Sequence, residues 1–387
     1  MTNPQPLRVL AIFGTRPDTI KMAPVVEELQ RHPHVECIVC VSAQHREMLD
    51  DLLALFAILP DHDLDIMTDD QSLTEITTRV LIGMEKVFAK VRPDVALVHG
   101  DTTTSTAAAL AAFYQQVPVG HVEAGLRTSN PSVPFPEEMN RRLTGVIASY
   151  HFAPTGLSRE HLLGENVPKE NVIVTGNTVI DAFMQTAQRE ELPRPPRWEQ
   201  LDPQRPIIVV TAHRRENHAH MREMCEAMLE IARMPRRPQI FWPVHPSPRV
   251  RPIAYEVLGN EPGVVLIDPI DYANMVAAVR DCTFVLTDSG GLQEEAPCLG
   301  KPVLVMREET ERPEGVLAGT LELVGHDRKK IVAAAQRLLS DPEAYKRMST
   351  AHNPYGDGHA AERIAAWLLA RLRGGEYPKP FEGGLST

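Results

Sequence analysis

Cysteine is scarce in this chain, five among 387 residues. An odd, sparse count excludes a disulfide framework and points to a reducing compartment. Two of the five, Cys37 and Cys40, form a C-x-x-C, but they lie inside VECIVCV, whose β-branched composition predicts a strand. Residues three apart in a strand face opposite ways and no second pair exists, so both are read as small buried hydrophobes rather than as zinc or redox groups. Long apolar runs are missing as well. No stretch of 18 apolar residues occurs, and the beginning, MTNPQPLRVLAIFGTRP, carries an apolar run too short for a secretory signal. Positive charge is in deficit, 40 Lys and Arg against 51 Asp and Glu, for a net charge of −11. Wholesale binding to nucleic acid or to an anionic membrane is therefore not expected, whereas a small anionic ligand needs only a local gathering of cations. The expectation is a soluble cytoplasmic protein with neither membrane nor nucleic acid as partner.

What is present is an alternation of short β-branched runs with longer helical patterns. LRVLAIF, VECIVCV, DVALVHG, VPVGHVE, SYHFAP and NVIVTG read as one series of strands. PIIVVTAH, QIFWPVH, VVLIDP, CTFVLTD, KPVLVM and TLELVG read as a second. Near-continuous apolar strands indicate parallel sheet covered on both faces. The fold class is thus α/β, with two doubly wound Rossmann-like domains whose strand ends line a cleft. The Pro-rich, charged stretch 187–206 reads as linker, with the hinge near Gly176. Domains are placed at 1–176 and 177–366. The closing apolar-faced helix within HAAERIAAWLLARLR could cap either one.

In doubly wound sheets ligands collect beyond the strand C-termini. After LRVLAIF comes GTRPDTIKMAP, where Gly14 suits a tight turn, Asp18 the positive end of a helix, and Arg16 and Lys21 an anion. A plain strand-to-helix turn with a surface arginine fits equally. Asp101 follows DVALVHG, either as a helix cap or as an acid aimed at ligand. HVEAGLRTSNPSVPFPEEMNRR carries Glu123, Glu137 and Glu138 with three arginines in a Pro-stiffened loop. Acids fixed this way suit proton transfer, which tolerates little misplacement, while the arginines would order the loop and balance its charge. His213, Arg214 and Arg215 follow the first strand of the second series, equipment for phosphate or acid/base work. His245 follows the next, where a loop histidine bonded to backbone is as plausible. His218 and His220 lack further ligand spacing, so no metal is expected. FVLTDSGGLQEEAPCLGKPVLVM ends a strand at Asp288 and opens a helix with Ser289, Gly290 and Gly291. Glycines there let backbone N–H groups approach a diphosphate, and an acid one turn on can take ribose hydroxyls. Arg307 and Arg312 stand at another strand end.

These blocks, namely FGTRPDTIKMAPVV, SAQHREMLD, HGDTTTSTAAALAAFY, VGHVEAGLRT, FPEEMNRRLTG, TGNTVIDA, TAHRREN, TDSGGLQEEAPCLGKPVLVMREETERPE and AHNPYGDG, resemble the non-hydrolysing bacterial UDP-N-acetylglucosamine 2-epimerases over nearly the whole chain. The resemblance implies a glycosyltransferase-B-like fold with its C-terminal helix, about 367–387, packed back on the first domain. It also implies a homodimer and reversible conversion of UDP-GlcNAc into UDP-ManNAc without a cofactor, for cell-envelope polysaccharide. By motif, Asp101, Glu123, Glu137 and His213 correspond to the catalytic set. Arg16, Lys21, His213, Met275, Ser289, Gly290, Gly291, Glu295 and Arg312 correspond to the UDP-binding set. Gln44, Gln71, Arg214 and His245 correspond to an activating site for UDP-GlcNAc. A hydrolysing 2-epimerase or a glycosyltransferase of the same fold is the alternative enzyme, and a silent nucleotide-sugar sensor the alternative of another class.

Overall fold

The structure, a computed structural model, describes residues 5–43, 46–68, 70–128 and 130–383. They divide into two compact units. The first comprises the chain up to Ala182 together with Gly356–Gly383, and the second runs from Phe183 to Tyr355.

The first unit is built on a parallel sheet of β1 (Leu7–Phe13), β2 (Val35–Val41), β3 (His62–Asp63), β4 (Val95–His99), β5 (Val119–Val122), β6 (Tyr150–Ala153) and β7 (Val172–Val174). The strands run side by side in the order β3-β2-β1-β4-β5-β6-β7. The second unit contains β8 (Ile207–Thr211), β9 (Gln239–Pro243), β10 (Val264–Ile267), β11 (Phe284–Thr287), β12 (Val303–Val305) and β13 (Leu321–Leu323), in the order β10-β9-β8-β11-β12-β13. Every registered pair is parallel in both sheets. Each order reverses once, between β1 and β4 and between β8 and β11. At such a reversal neighbouring connections leave toward opposite faces and open a crevice beyond the strand C-termini. Twelve of these strands coincide with sequence-predicted runs. The two-residue β3 is too short to carry an alternation.

The apolar strands are explained by burial on both faces. Along β1, Leu7, Val9, Ala11 and Phe13 enter one apolar cluster, while Leu10 and Ile12 enter another. Cys37 packs against the first cluster and Cys40 lies in the second, as their spacing in a strand requires. The stretch 187–206 is not a bare linker. The unit division falls inside the helix Thr178–Ala187, and Trp198 is buried with its ring 4.8 Å from that of Phe241.

The C-terminal helix Ala360–Arg373 belongs to the first unit, where Ile364, Trp367 and Leu368 join the cluster of β1. Trp367 meets Tyr150 and Phe152 edge-on, with ring centroids at 5.1 and 5.6 Å. Asp181 accepts a hydrogen bond from Ala361 N at 2.8 Å and so caps the start of this helix. Burial pushes the Asp181 carboxyl up to about 6. Among the described residues no helix is long and apolar enough to cross a membrane.

Truncating the tryptophan removes a buried aromatic whose neighbours cannot close the gap. Trp367→Ala should cost about 3–5 kcal/mol, read as a lowered urea midpoint with the slope unchanged.

Candidate active site

Around the reversal of the first sheet, the ends of β1, β4 and β5 bring their side chains together. The helix Arg16–Arg31 starts after β1, with Thr15 accepting from Asp18 N at 3.5 Å and Pro17 in its first turn. Gly14 is required by packing. A Cβ there would stand 1.7 Å from Ser42 Oγ. Asp18 stands in the first turn of this helix, as read from the sequence, but does more than face the helix dipole. It is buried, lies 3.2 Å from His99 Nδ1 through Oδ1, and accepts from Thr102 Oγ1 at 3.1 Å through Oδ2. Thr102, and not Asp101, caps the helix Thr103–Tyr114 by accepting from Ser105 N. Asp101 is thereby left free of capping and pairs with Arg141.

Glu123 follows β5 with φ at +61°, a left-handed conformation that costs a non-glycine residue roughly 1–2 kcal/mol. Three side chains hold its carboxylate. Lys21 Nζ pairs with Oε1, Asn177 Nδ2 donates to Oε1 at 3.0 Å, and His99 Nε2 lies 3.2 Å from Oε2, within ion-pair reach though off line for a hydrogen bond. Burial alone would raise this carboxyl, but Lys21 and His99 outweigh it and hold Glu123 well below the usual carboxylate range. His99 is fully enclosed, which disfavours its charge. Glu123 and Asp18 reverse that and lift it to about 9, so the ring is an imidazolium at neutral pH. Asp101 moves the other way. Burial raises it, with the Glu123 charge adding to the rise and Arg141 opposing. His121, on β5, is pushed down to about 3 by burial and is neutral, donating from Nε2 to Gly100 O at 2.7 Å.

The loop between β5 and the helix Glu137–Ile147 is pinned by its arginines. Glu138, fully buried, accepts from Thr128 N at 3.1 Å, Arg142 Nε at 2.8 Å and Arg141 Nη1 at 3.3 Å. Arg127 forms a two-pronged bridge to Glu165 at 2.7 and 2.6 Å. Glu138 is therefore the anchor of the loop. Glu137, half-buried at the first helical position, has no ion pair among the described residues, and Arg16 has none either.

In the second unit the reversal lies between β8 and β11, and a buried carboxylate organises it. Asp288 accepts from His213 N at 2.9 Å, Arg214 N at 2.8 Å and Asn217 Nδ2 at 3.1 Å. Its Oδ1 lies 3.2 Å from His213 Nδ1. Burial lowers the His213 ring below its ordinary value, Arg214 and His245 add to this, and Asp288 opposes. His245 stacks on His213 at 6.0 Å. The helix Gly290–Glu295 opens after Ser289, whose hydroxyl caps none of its N–H groups. Arginines crowd over its first residue. A Cβ at Gly290 would stand 2.9 Å from Arg312 Nη1 and 3.3 Å from Arg214 Nη2. Glu294 holds Arg312 Nε at 2.6 Å, and Glu311 lies 3.0 Å from Arg312, 3.4 Å from Arg214 and 2.5 Å from Arg307. The phenol of Tyr355, in the AHNPYGDG block, donates to Arg312 O and accepts from Gly315 N, both at 2.9 Å. The arrangement is a pre-neutralised guanidinium group beside backbone N–H donors, suited to a diphosphate.

The sequence-predicted residues thus fall into two sets. Lys21, Asp101 and Glu123 come together in the first unit, with Arg16 at the start of the helix that carries Lys21 and Glu137 at the end of the pinned loop. His213, Ser289, Gly290, Gly291 and Arg312 gather in the second, with Arg214 and His245 beside them. Glu295 lies one turn along, its Oε2 3.5 Å from where a Gly291 Cβ would be, and Met275 is half-buried in the helix Tyr272–Asp281. Gln71 belongs to the first unit, 3.5 Å from Thr68 Oγ1, and Gln44 lies outside the described residues. Sequence reasoning missed His99, Asp18, Asn177, Arg141 and Asp288 as parts of the site. HGD, GNT and TDS each place a polar residue at a strand end, which was the available signal.

Filling the space at Gly290 should push Arg312 off its seat. Gly290→Ala is expected to weaken binding of inorganic diphosphate about tenfold, the loss of one charge-assisted hydrogen bond, measured by titration calorimetry.

The family profile described as UDP-N-acetylglucosamine 2-epimerase matches residues 27–369. The UDP-N-acetylglucosamine 2-epimerase of Salmonella typhimurium is 53% identical over 367 residues, 92% of this chain and 97% of that protein. The crystal structure of UDP-GlcNAc 2-epimerase from Neisseria meningitidis bound to UDP-GlcNAc is 47% identical, with a TM-score of 0.82 over 94% of this chain and 100% of that one. A glycosyltransferase of kitacinnamycin, 11% identical with a TM-score of 0.65 over 95% of this chain, shares the fold alone. Sequence identity sustained along nearly the full length, on a glycosyltransferase-B-like fold, settles the matter: this chain belongs to the non-hydrolysing UDP-N-acetylglucosamine 2-epimerase family of isomerases.

Proposed function

We propose that the chain interconverts UDP-N-acetylglucosamine and UDP-N-acetylmannosamine by eliminating and re-adding UDP through a 2-acetamidoglucal, supplying ManNAc-derived sugars for cell-envelope polysaccharide. One observation carries the reading. Two carboxyls of neighbouring strand ends are driven apart in proton affinity, Asp101 upward and Glu123 far downward, the mark of an acid/base pair.

The chemistry explains why such a pair is needed. The hydrogen on C2 is not next to a carbonyl, and direct removal as a proton would be prohibitive. Breaking the C1–O bond, with its electron pair leaving on the diphosphate oxygen, gives C1 oxocarbenium character and acidifies C2–H. A carboxylate then takes the proton while the C–H electrons form the C1=C2 double bond. Protonation of C2 from the opposite face and return of the diphosphate oxygen to C1 give the epimer. The sum is redox-neutral, so no hydride carrier is called for. Asp101, Glu123 and Glu137 share the proton transfers. The Arg312 set takes the departing diphosphate, and His213 assists its departure. Gln71 of the first unit and Arg214 and His245 of the second are candidates for binding UDP-GlcNAc as an activator.

Self-association rests on a separate feature. Phe113, Tyr114, Ile82 and Val146 are exposed, and a surface depression of about 550 Å³ is lined by Phe113, Tyr114, Val117, Pro118 and Ile147. It lies at the N-terminal end of β5, away from the acids. This apolar face is the proposed homodimer contact. Tyr114→Glu should shift the light-scattering mass from twice the chain mass to that of one chain.

Incubation with UDP-GlcNAc in deuterated buffer should place deuterium at C2 of both UDP-sugars, read by proton NMR. Free ManNAc with UDP would instead mark a hydrolysing enzyme. No change in the absence of acceptor would mark a transferase, and thermal stabilisation by UDP without turnover a sensor. Loss of exchange in Asp101→Asn with Glu137→Gln unaffected would break the shared assignment of the acids.

A further inference from the structure

The last residue of β4, His99, has no role in the reaction as described, yet its ring is enclosed between two acids. Nδ1 lies 3.2 Å from Asp18 Oδ1 and Nε2 lies 3.2 Å from Glu123 Oε2. Asp18 is itself fixed by Thr102, and Ser105 Oγ donates to His99 O at 2.5 Å. Turning the ring away would take from Asp18 Oδ1 its His99 partner inside a buried site. Each nitrogen thus faces a carboxylate oxygen, one within hydrogen-bond reach and the other within ion-pair reach, and two acids on one ring favour its cation.

We propose that His99 is a positioning residue of the epimerase: as an imidazolium braced by Asp18, it fixes the Glu123 carboxylate from one side while Lys21 and Asn177 fix it from the other. The proposal rests on the reading of Glu123 as one of the acids that act at C2. With both of its oxygens occupied and a left-handed backbone beneath it, Glu123 is set in one orientation and stays ionised. An acid that receives the C2 proton has to be ionised first, and one whose carboxylate swings cannot meet the carbon in line.

The charged and titratable groups facing His99 are few. Asp18 and Lys21 come from the helix after β1, Glu123 from the loop after β5, and His121, neutral, from β5. His99 keeps its proton below about pH 9 and loses it as pH rises through that value. Its hold on Glu123 is thus complete at neutral pH and fails on the alkaline side.

The test compares wild-type enzyme with His99→Gln and Glu123→Gln, using UDP-GlcNAc in deuterated buffer. His99→Gln should lower kcat and C2 deuterium incorporation together, about 100-fold, with KM and UDP affinity within about threefold. It should also remove the alkaline fall of kcat near pH 9. A His99→Gln enzyme with kcat within threefold of wild type, or with the alkaline limb intact, overturns the proposal. A wild-type rate in Glu123→Gln would instead overturn the assignment of that acid. Nitrogen NMR of 15N-histidine-labelled wild-type enzyme reads the ring directly, whether or not the variant folds. The ring assigned to His99 should carry protons on both nitrogens at pH 7.5, and a neutral ring there overturns the proposal.

Discussion

A carboxylate withdrawn from water has to be met by positive charge and hydrogen-bond donors, because desolvation otherwise returns its proton. The first unit is arranged around one such group, Glu123. Lys21 reaches it from the helix after β1, His99 from the end of β4 and Asn177 from the end of β7. None of these elements is adjacent to Glu123 in the chain. The parallel sheet supplies the meeting place, since every strand delivers its C-terminus to the same edge. The left-handed backbone at Glu123 and the buried Asp18–His99 contact are local costs sustained by this convergence.

The second unit solves a different electrostatic problem with the same topology. Arginines gathered at one strand end repel one another unless acids stand among them. Glu294 and Glu311 lie against them, and Asp288 commits its carboxylate to backbone and side-chain N–H groups that shape the loop after β8. Glu294, Glu311 and Asp288 thus act as scaffolding, whereas Asp101 in the first unit pairs with Arg141 and burial raises its proton affinity. The contrast explains how a chain with an excess of acids can present a local anion site.

The pinned loop shows how sequence and structure divide the work. Its acids and arginines were visible in HVEAGLRTSNPSVPFPEEMNRR, and so was the need for order in a Pro-stiffened segment. Which acid anchors and which remains available was not visible, because Glu137 and Glu138 differ by one residue and point different ways from the same helical turn. Only Glu138 falls among Thr128, Arg141 and Arg142. Asp18 carries a similar lesson. A first-turn acid is ordinarily a surface partner of the helix dipole, and burial against His99 and Thr102 changes its meaning.

By itself the sequence determined the two parallel sheets, nearly all their strands and the strand ends at which chemistry collects. Apolar runs bounded by turns are local signals, and a parallel sheet requires them wherever it is covered on both faces. It also determined the family through ordered motif blocks. Charge states and partnerships were decided only by tertiary structure. Asp101 and Glu123 are both acids after strands, yet one gains and the other loses proton affinity. That difference comes from residues brought from 40 to more than 100 positions away, Arg141 to one and Lys21 to the other. Electrostatic energy depends on distance and burial in space, which no linear pattern records.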